Sequence, residues 1–219
     1  MTDSKGLEKA PVVQAGAFLC LAILAAQLSG CASGAHERTV VKSLQESRQQ
    51  NVVLQEWDLS CGAAALATVL RYQHNDPVPE KTIAESMLRR TDPLTVRVKG
   101  GFSLFDLKRF TESRGFTGTG YFGLDLAALE KLGPAITPVN LGDFNHFVVF
   151  RGIVGNKVLI ADPAFGNRSI DRDTFERGWL GNIGFVISDP TGRQTPNRLS
   201  VQPADFIFAP AETVRHAIR

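Results

Sequence analysis

The sequence predicts an α+β fold in which a helical part comes first and an antiparallel sheet follows. Apolar residues recur at helical spacing in the first half of the main domain, and β-branched or alternating runs dominate the second half. Helices followed by strands are typical of α+β domains rather than of alternating βαβ units. The predicted helices are 61–72, 83–90, 104–114 and 125–132, and the predicted strands are 52–54, 135–140, 146–154, 157–161 and 183–187.

The charge balance removes the strongest electrostatic reason to expect nucleic-acid binding. Among 219 residues, 24 Lys and Arg stand against 22 Asp and Glu, and no basic stripe occurs. Gly115, Gly118 and Gly120 follow a helix with GxxGxG spacing, which does not match a dinucleotide-binding motif. No His, Cys or carboxylate cluster has metal-ligand spacing. We therefore expect no nucleic acid, no cofactor and no metal.

The first thirty residues read as a bacterial export signal. A short charged stretch precedes the apolar run 12–28, which is short for a membrane span. Residues 28–31, Leu-Ser-Gly-Cys, resemble the lipobox of bacterial lipoproteins, which implies cleavage before Cys31 and lipid attachment to its sulfur. Ala32 after it, being other than Asp, implies the outer membrane. The alternative is a plain signal peptide or signal anchor in which Cys31 is incidental.

The chain thus divides into four predicted segments around one main domain. We expect a lipid-anchored periplasmic monomer whose main domain is separated from the membrane by a tether. The segments are a signal peptide at 1–30, a lipidated cysteine and tether at 31–50, the main domain at 51–190, and a tail without an assigned role at 191–219.

One thiol remains in the main domain once Cys20 and Cys31 are assigned to the export segment. Cys61 opens a helix that is apolar on nearly every side, and Ser60 is its predicted N-cap. The helix dipole at that end favours thiolate over thiol, so position and residue type both indicate an activated nucleophile. The alternative is a small buried side chain without chemistry.

Two neighbours of Cys61 suit an acyl-transfer site. Gly62 leaves room beside the sulfur for a substrate carbonyl. Gln55, on the loop before the helix, supplies an amide donor that forms a predicted oxyanion hole with the backbone N–H of Cys61. A Gln on a loop is otherwise simply solvated, so this interpretation depends on Cys61.

His146 is the predicted general base because it opens an apolar strand at the rim of a cleft. The other three histidines lie in the tether, in a polar stretch after the buried helix, and in the tail. Asp162 ends the following strand and is the predicted orienting group of a Cys-His-Asp triad. Without Cys61, His146 would be read as a histidine hydrogen-bonded at a strand end.

The triad requires an irregular hairpin between the two strands. In a regular hairpin, Asp162 lies opposite Val149, on the wrong face and about 10 Å from His146. One extra residue in the first strand, most easily accommodated at Gly152, moves Asp162 opposite Val148 and onto the face of His146. We therefore expect a bulge or widened turn in this stretch.

Three segments carrying these residues resemble cysteine peptidase family 39, the papain-like domains that remove double-glycine leaders in bacteriocin-exporting ABC transporters. The segments are 55–64 (QEWDLSCGAA), 145–149 (NHFVV) and 161–166 (ADPAFG). The resemblance implies a papain-like cysteine peptidase fold, with a buried nucleophile helix packed on a C-terminal antiparallel sheet. It also implies Cys61 as nucleophile, His146 as base and acid, Asp162 as the orienting group and Gln55 in the oxyanion hole.

Departures from the exporter-linked members concern the substrate. Ser60 stands where many of them carry Asp, and the exported, stand-alone form is more similar to periplasmic relatives, including the one in functional-amyloid secretion operons. These features predict an exported protein or peptide as substrate, a secretion system as a partner, and substrate contacts at Trp57 and Asn145. The alternatives are a non-hydrolytic binding module on the same fold and a thiol acyltransferase or amidase.

Overall fold

The computed structural model describes residues 43–142, 144–201 and 205. Within these ranges the strands form one six-stranded antiparallel sheet with the order β1-β6-β2-β3-β4-β5. The strands are β1 Thr117–Tyr121, β2 Ala135–Asn140, β3 Asn145–Val154, β4 Lys157–Asp162, β5 Gly166–Asp171 and β6 Gly184–Ser188. The predicted α+β class, with most helices preceding the sheet, is confirmed.

The helices alternate with loops before the sheet and between its strands. In the same described ranges they are α1 Leu44–Arg48, α2 Cys61–Gln73, α3 Glu80–Leu88, α4 Pro93–Lys99, α5 Leu104–Ser113, α6 Leu126–Leu132 and α7 Arg172–Gly178, with a 3₁₀ turn at Leu180–Asn182. Four of them match predicted helices to within a few residues at each end. Two of these four, α5 and α6, begin with a side-chain cap; Asp125, for example, accepts a hydrogen bond from the Ala128 N–H at the start of α6.

Helix α2 is the centre of the larger core. Its first ten residues are all buried, and it packs against β3 and against α3 and α5. Leu66 and Leu70 share this core with Val149 and Phe185 of the sheet. A helix that is apolar on all sides has to be enclosed, because burying its side chains is its main source of stability. The Ala-rich sequence also lets the sheet approach closely.

The predicted irregularity between β3 and β4 is present and has the predicted effect. Phe150 pairs with Ile160 but Gly152 pairs with Leu159, so Arg151 is one extra residue in β3. Gly152 has φ 157°, a conformation that other residues rarely adopt. Val149 pairs with Ala161, and this register brings the next residue of β4 opposite Val148. The bulge prediction is therefore confirmed.

The strand predicted at 52–54 is wrong. Its backbone is satisfied by other groups: the Val53 N–H donates to Thr68 Oγ1 at 2.9 Å, and the Gln55 N–H donates to the carbonyl of Pro163 at 2.8 Å. Residues 52–54 therefore pack on the core without joining the sheet. The apolar pattern of residues 52–54 correctly indicated burial, but it did not indicate which groups would bond to their backbone.

Sequence reasoning missed two edge strands because their composition is atypical. β1 is rich in glycine, and a Cβ at Gly118 would lie 2.6 Å from Phe185 Cζ, so the ring occupies the space of the missing side chain. β5 is polar because it closes the other edge of the sheet, where the described part of the chain places no further strand beside it. The short helices α4 and α7 were also not predicted.

Parts of the predicted tether and tail contact the main domain. The carbonyl of Arg48, at the end of α1, accepts a hydrogen bond from Asn167 Nδ2 at 3.1 Å. Leu199 is fully buried in the core with α2. The predicted signal peptide and Cys31 lie outside the described residues. No helix in the described part of the chain is long and apolar enough to cross a membrane.

Candidate active site

Cys61 is the first residue of α2 and its side chain is buried. Ser60 occupies the N-cap position, as predicted, but its hydroxyl does not cap the helix. It instead donates to the carbonyl of Trp57 at 2.8 Å and closes the preceding loop. The first backbone N–H groups of a helix have no intrahelical acceptor, so the N–H of Cys61 is available beside its own sulfur. The helix start thus supplies both a thiol and a backbone donor.

His146 and Asp162 are in direct contact. His146 Nε2 lies 2.8 Å from Asp162 Oδ1, with the imidazole buried and the carboxyl group completely so. The contact arises because β3 begins next to the end of β4 and the Arg151 bulge turns both side chains to one face. Since Nε2 is occupied by the carboxylate, Nδ1 is the ring nitrogen left to exchange a proton with another group.

The carboxyl group of Asp162 is held by four donors. Besides His146, Oδ1 accepts from the backbone N–H of Ala164 at 2.8 Å and of Phe165 at 3.3 Å. Oδ2 accepts from Arg168 Nη1 at 3.0 Å. Burial raises the pKa of Asp162, but the bonds from His146, Ala164 and Arg168 outweigh it, so the pKa lies below its ordinary value. The group is therefore a carboxylate with a fixed orientation.

The protonation of His146 depends on two partners. Burial lowers its pKa, but hydrogen bonds to Asp162 and to the side chain of Cys61, together with the charges of both, raise it to about 9. The imidazole is therefore cationic at neutral pH. An imidazolium beside a sulfur at a helix N-terminus is the environment that stabilises a thiolate.

Gln55 lies near these groups, but its amide faces its own loop. Its Nε2 donates to the carbonyl of Trp57 at 2.9 Å, and its Oε1 is buried without a hydrogen-bond partner among the described residues. Its backbone N–H donates to the carbonyl of Pro163, the residue after Asp162. The loop is thereby tied to the carboxylate turn, and the oxyanion-hole role of Gln55 stays a prediction.

The three predicted substrate contacts have different surroundings. Trp57 is 45% exposed and lines an apolar groove. A Cβ at Gly62 would lie 3.2 Å from Leu107 Cδ1, so the absence of a side chain also has a packing reason. Asn145 is exposed at the start of β3, and its Oδ1 accepts from Asn140 Nδ2 at 2.9 Å. Substrate binding by Trp57, Gly62 and Asn145 stays a prediction.

Three residues of the site region were not found from the sequence. Arg168, which contacts Asp162, lies on the unpredicted strand β5. Phe144 is more than half exposed and its ring lies edge-on to the imidazole of His146, with centroids 5.6 Å apart. Glu80 is buried and accepts from the N–H of Glu56 at 3.0 Å, which anchors the loop before Cys61. No spacing pattern links these residues to the triad.

The described residues contain no group of three or more His, Cys, Asp or Glu that could hold a metal ion. Cys61 is a free thiol in the described part of the chain. A buried helix that begins with a thiol and packs on an antiparallel sheet, with a histidine and a carboxylate at the strand ends, is the architecture of papain-like cysteine peptidases.

Comparison with known proteins specifies the family. The chain matches the family model described as Peptidase C39 family over residues 49–191, and it belongs to that family. It is therefore a cysteine-type peptidase, a hydrolase. Two curated relatives are described as a probable functional amyloid protease FapD. The one from Pseudomonas aeruginosa is 39% identical over 157 residues, which cover 71% of this chain and 69% of the relative. The one from Pseudomonas fluorescens is 37% identical over 182 residues, which cover 79% of this chain and 80% of the relative.

Solved structures agree with this assignment. The crystal structure of a double glycine motif protease from an AMS/PCAT transporter, in complex with the leader peptide, is 31% identical with a TM-score of 0.53. It aligns with 63% of this chain and 90% of its own. The peptidase domain of Streptococcus ComA is 20% identical with the same TM-score, and the alignment covers 63% of this chain and 96% of that domain. This second likeness supports the fold.

Proposed function

We propose that this protein cleaves a peptide bond in an exported protein through a Cys61, His146 and Asp162 triad. The observation that carries the proposal is the 2.8 Å contact between His146 Nε2 and Asp162, and Cys61 also raises the pKa of the same imidazole. These three groups fill the roles of nucleophile, base and orienting group that covalent acyl transfer requires. Family membership and two protease-named relatives support the same reaction class.

The reaction starts from the thiolate and imidazolium pair. The sulfur of Cys61 adds to the carbonyl carbon, and the oxyanion is stabilised by the backbone N–H of Cys61 and by the Gln55 amide after it turns from its loop. The imidazolium of His146 gives its proton to the leaving nitrogen, the C–N bond breaks and a thioester remains. Neutral His146 then takes a proton from water, the resulting hydroxide attacks the thioester, and the acid product leaves with the thiolate restored.

An apolar groove beside the nucleophile helix supports a polypeptide substrate. The groove has a volume of about 410 Å³ and reaches Trp57 and Ser60 at the start of α2. Its remaining lining residues are mostly apolar: Leu59, Ala84, Leu88, Pro93, Leu94, Val96, Arg97 and Phe102. A related structure holds a leader peptide, and such a groove suits the apolar side chains of an extended or helical segment. We place substrate residues distant from the scissile bond in this groove.

We also propose that the protein acts in the periplasm as a lipoprotein of the outer membrane. The lipobox-like residues 28–31, with Ala32 after the cysteine, support this location. Two or more acyl chains attach a protein stably to a bilayer, whereas one is marginal. A secretion substrate passing through the periplasm would then meet the enzyme near its exit site.

The proposed triad is tested by the reactivity of Cys61 toward a neutral alkylating reagent. We expect wild-type Cys61 to react well below the ordinary thiol pKa of about 8.5, and this low-pH reactivity to disappear in His146→Ala. His74→Ala is the matched control, because His74 is also buried and hydrogen-bonded but lies at the other end of α2. If Cys61 is alkylated at the same rate in His146→Ala as in the wild type, the triad is contradicted and a non-hydrolytic binding module is favoured.

Activity is tested on peptides that carry a double-glycine site, with Cys61→Ala as the inactive reference. We expect cleavage by the wild type and a covalent acyl-enzyme detectable by mass spectrometry. Adding an amine acceptor distinguishes hydrolysis from acyl transfer, because a transferase yields the amide product in preference to the acid. A folded, His146-activated enzyme that cleaves none of these peptides would redirect the search to other cleavage sequences.

A further inference from the structure

The register between β3 and β4 decides whether the proposed triad exists. Side chains alternate between the two faces of a sheet, so a shift of one residue moves a side chain to the opposite face. The extra residue Arg151 supplies this shift, and it lets Asp162 meet His146. Whatever holds the bulge in place therefore also holds the carboxylate against the imidazole.

Arg151 is a cation that could not stay buried alone. Its side chain is 3% exposed, and an unpaired buried charge is strongly destabilising. Asp205 binds it with both carboxyl oxygens, at 2.8 Å from Nη1 and 2.9 Å from Nη2. Its Nε donates to the carbonyl of Leu199 at 2.9 Å, and Nη1 also donates to Asn167 Oδ1 at 3.0 Å. Paired, planar hydrogen bonds of this kind are the strongest that arginine forms.

Most of these partners come from one segment, which we call the C-terminal strap, residues 195–201 together with Asp205. The strap follows residue 191, where the match to the family model ends. Its Leu199 is fully buried in the main core, and Val201 Cγ2 lies 2.7 Å from where a Cβ on Gly152 would stand. The strap therefore packs directly on the bulge.

The other end of the strap contacts the helix that carries the nucleophile. The Arg198 N–H donates to the carbonyl of Tyr72 at 2.9 Å, and the hydroxyl of Thr195 donates to the carbonyl of Gln73. Both acceptors lie in the last turn of α2, which begins at Cys61. One short segment thus connects the end of the nucleophile helix to the strand that positions the histidine and carboxylate.

We propose that the C-terminal strap aligns the catalytic groups, and that Arg151 and Asp205 are positioning residues acting through the bulge. The inference rests on the proposed function, because it concerns the same triad. Loss of Asp205 leaves the Arg151 guanidinium short of its counter-ion, which favours an alternative β3 register with Arg151 in solvent. In that register, Asp162 no longer lies on the face of His146. The Cys61 thiolate and His146 imidazolium pair is then no longer stabilised by the carboxylate.

The test compares Asp205→Ala with Asp76→Ala in the full chain. Asp76 is a matched control because it also binds an arginine, Arg114, through both oxygens at 2.6 and 3.1 Å. The two aspartate side chains are similarly buried, at 13% and 16% exposure. Each variant is assayed for circular dichroism, thermal midpoint, the alkylation rate of Cys61 and the titration of the His146 imidazole by NMR.

We expect Asp205→Ala to lower the alkylation rate near neutral pH by about tenfold and the midpoint of the His146 titration by about one pH unit. Asp76→Ala should leave both readouts at their wild-type values, even if it lowers the thermal midpoint. A purely structural role for the strap would move the thermal midpoint alone. A folded Asp205→Ala protein with wild-type thiol reactivity and His146 titration overturns the proposal.

A milder variant covers the case in which Asp205→Ala does not fold. Asp205→Asn keeps the side-chain shape and one oxygen for Arg151 but removes the charge, and we expect a smaller loss in the same direction. Wild-type reactivity in this variant then overturns the proposal. The proposed function fails separately, because it requires His146-dependent reactivity in the wild type, which the strap variants do not affect.

Discussion

Replacement of Asp162 by Asn removes the charge beside His146 while keeping the side-chain shape. The Asp162 carboxylate lies 2.8 Å from the imidazole and is fully buried, so solvent does not screen the interaction. Burial alone would lower the pKa of His146, whereas Asp162 and Cys61 raise it from 6.5 to about 9. The variant should therefore lower this pKa, and with it the stability of the proposed thiolate and imidazolium pair.

The size of the effect follows from the pKa of His146. A rise from 6.5 to about 9 corresponds to about 3 kcal/mol, since one pKa unit is about 1.4 kcal/mol. Cys61 supplies part of this energy, so we expect Asp162→Asn to lower the pKa by at least about one unit. Each pKa unit that His146 loses lowers the ratio of the thiolate and imidazolium pair to the neutral thiol and imidazole pair about tenfold.

The assay is NMR titration of the His146 imidazole, combined with alkylation of Cys61 at about pH 6, where an ordinary thiol is protonated. We expect the midpoint of the His146 titration to move toward 6.5 by at least about one pH unit, and the alkylation rate to fall with the ratio of charged to neutral pairs. Asp171→Asn is the matched control, because Asp171 pairs with Lys157 at 2.8 Å on the same sheet but is exposed.

The sign of the pH dependence provides a second check. Because the folded-state pKa of His146 is raised to about 9, its stabilising contribution is complete below the unfolded value of about 6.5. That contribution is lost as the pH rises through 9, and Asp162→Asn should flatten this part of the stability profile. An unchanged His146 titration in Asp162→Asn would mean that the carboxylate contributes nothing to the charged state of His146, contrary to this prediction.

Two other predictions concern the loop before Cys61 and the proposed lipid anchor at Cys31. Glu80→Ala should lower the free energy of unfolding in urea by about 1 to 3 kcal/mol, because the N–H of Glu56 loses its charged, partly buried acceptor. Glu80→Gln should lower the free energy of unfolding much less, since it keeps an oxygen as acceptor and removes a carboxyl whose pKa is raised by burial. Equal decreases in the two variants would contradict this account. Cys31→Ser should release the protein from the membrane fraction and abolish labelling by a fatty-acid precursor, whereas continued labelling would rule out Cys31 as the lipidation site.

The elements that can be predicted from the sequence are those whose signals are local. The apolar helix after Cys61, the strand 135–140 and the bulge in the following hairpin were all predictable. Helical spacing, β-branched runs and side-chain alternation depend only on neighbouring residues. The bulge followed from requiring His146 and Asp162 to share one face.

Contacts between residues far apart in the chain depend on the folded arrangement as a whole. Arg168 reaches Asp162 from an edge strand whose polar composition gave no strand signal. Asp205 reaches Arg151 from a segment without periodicity. Residues 52–54 look like a strand but use Thr68 and other partners instead of a neighbouring strand. Local sequence encodes the tendency to be buried or extended, but a buried charge or backbone group finds its partner only when the whole chain has folded.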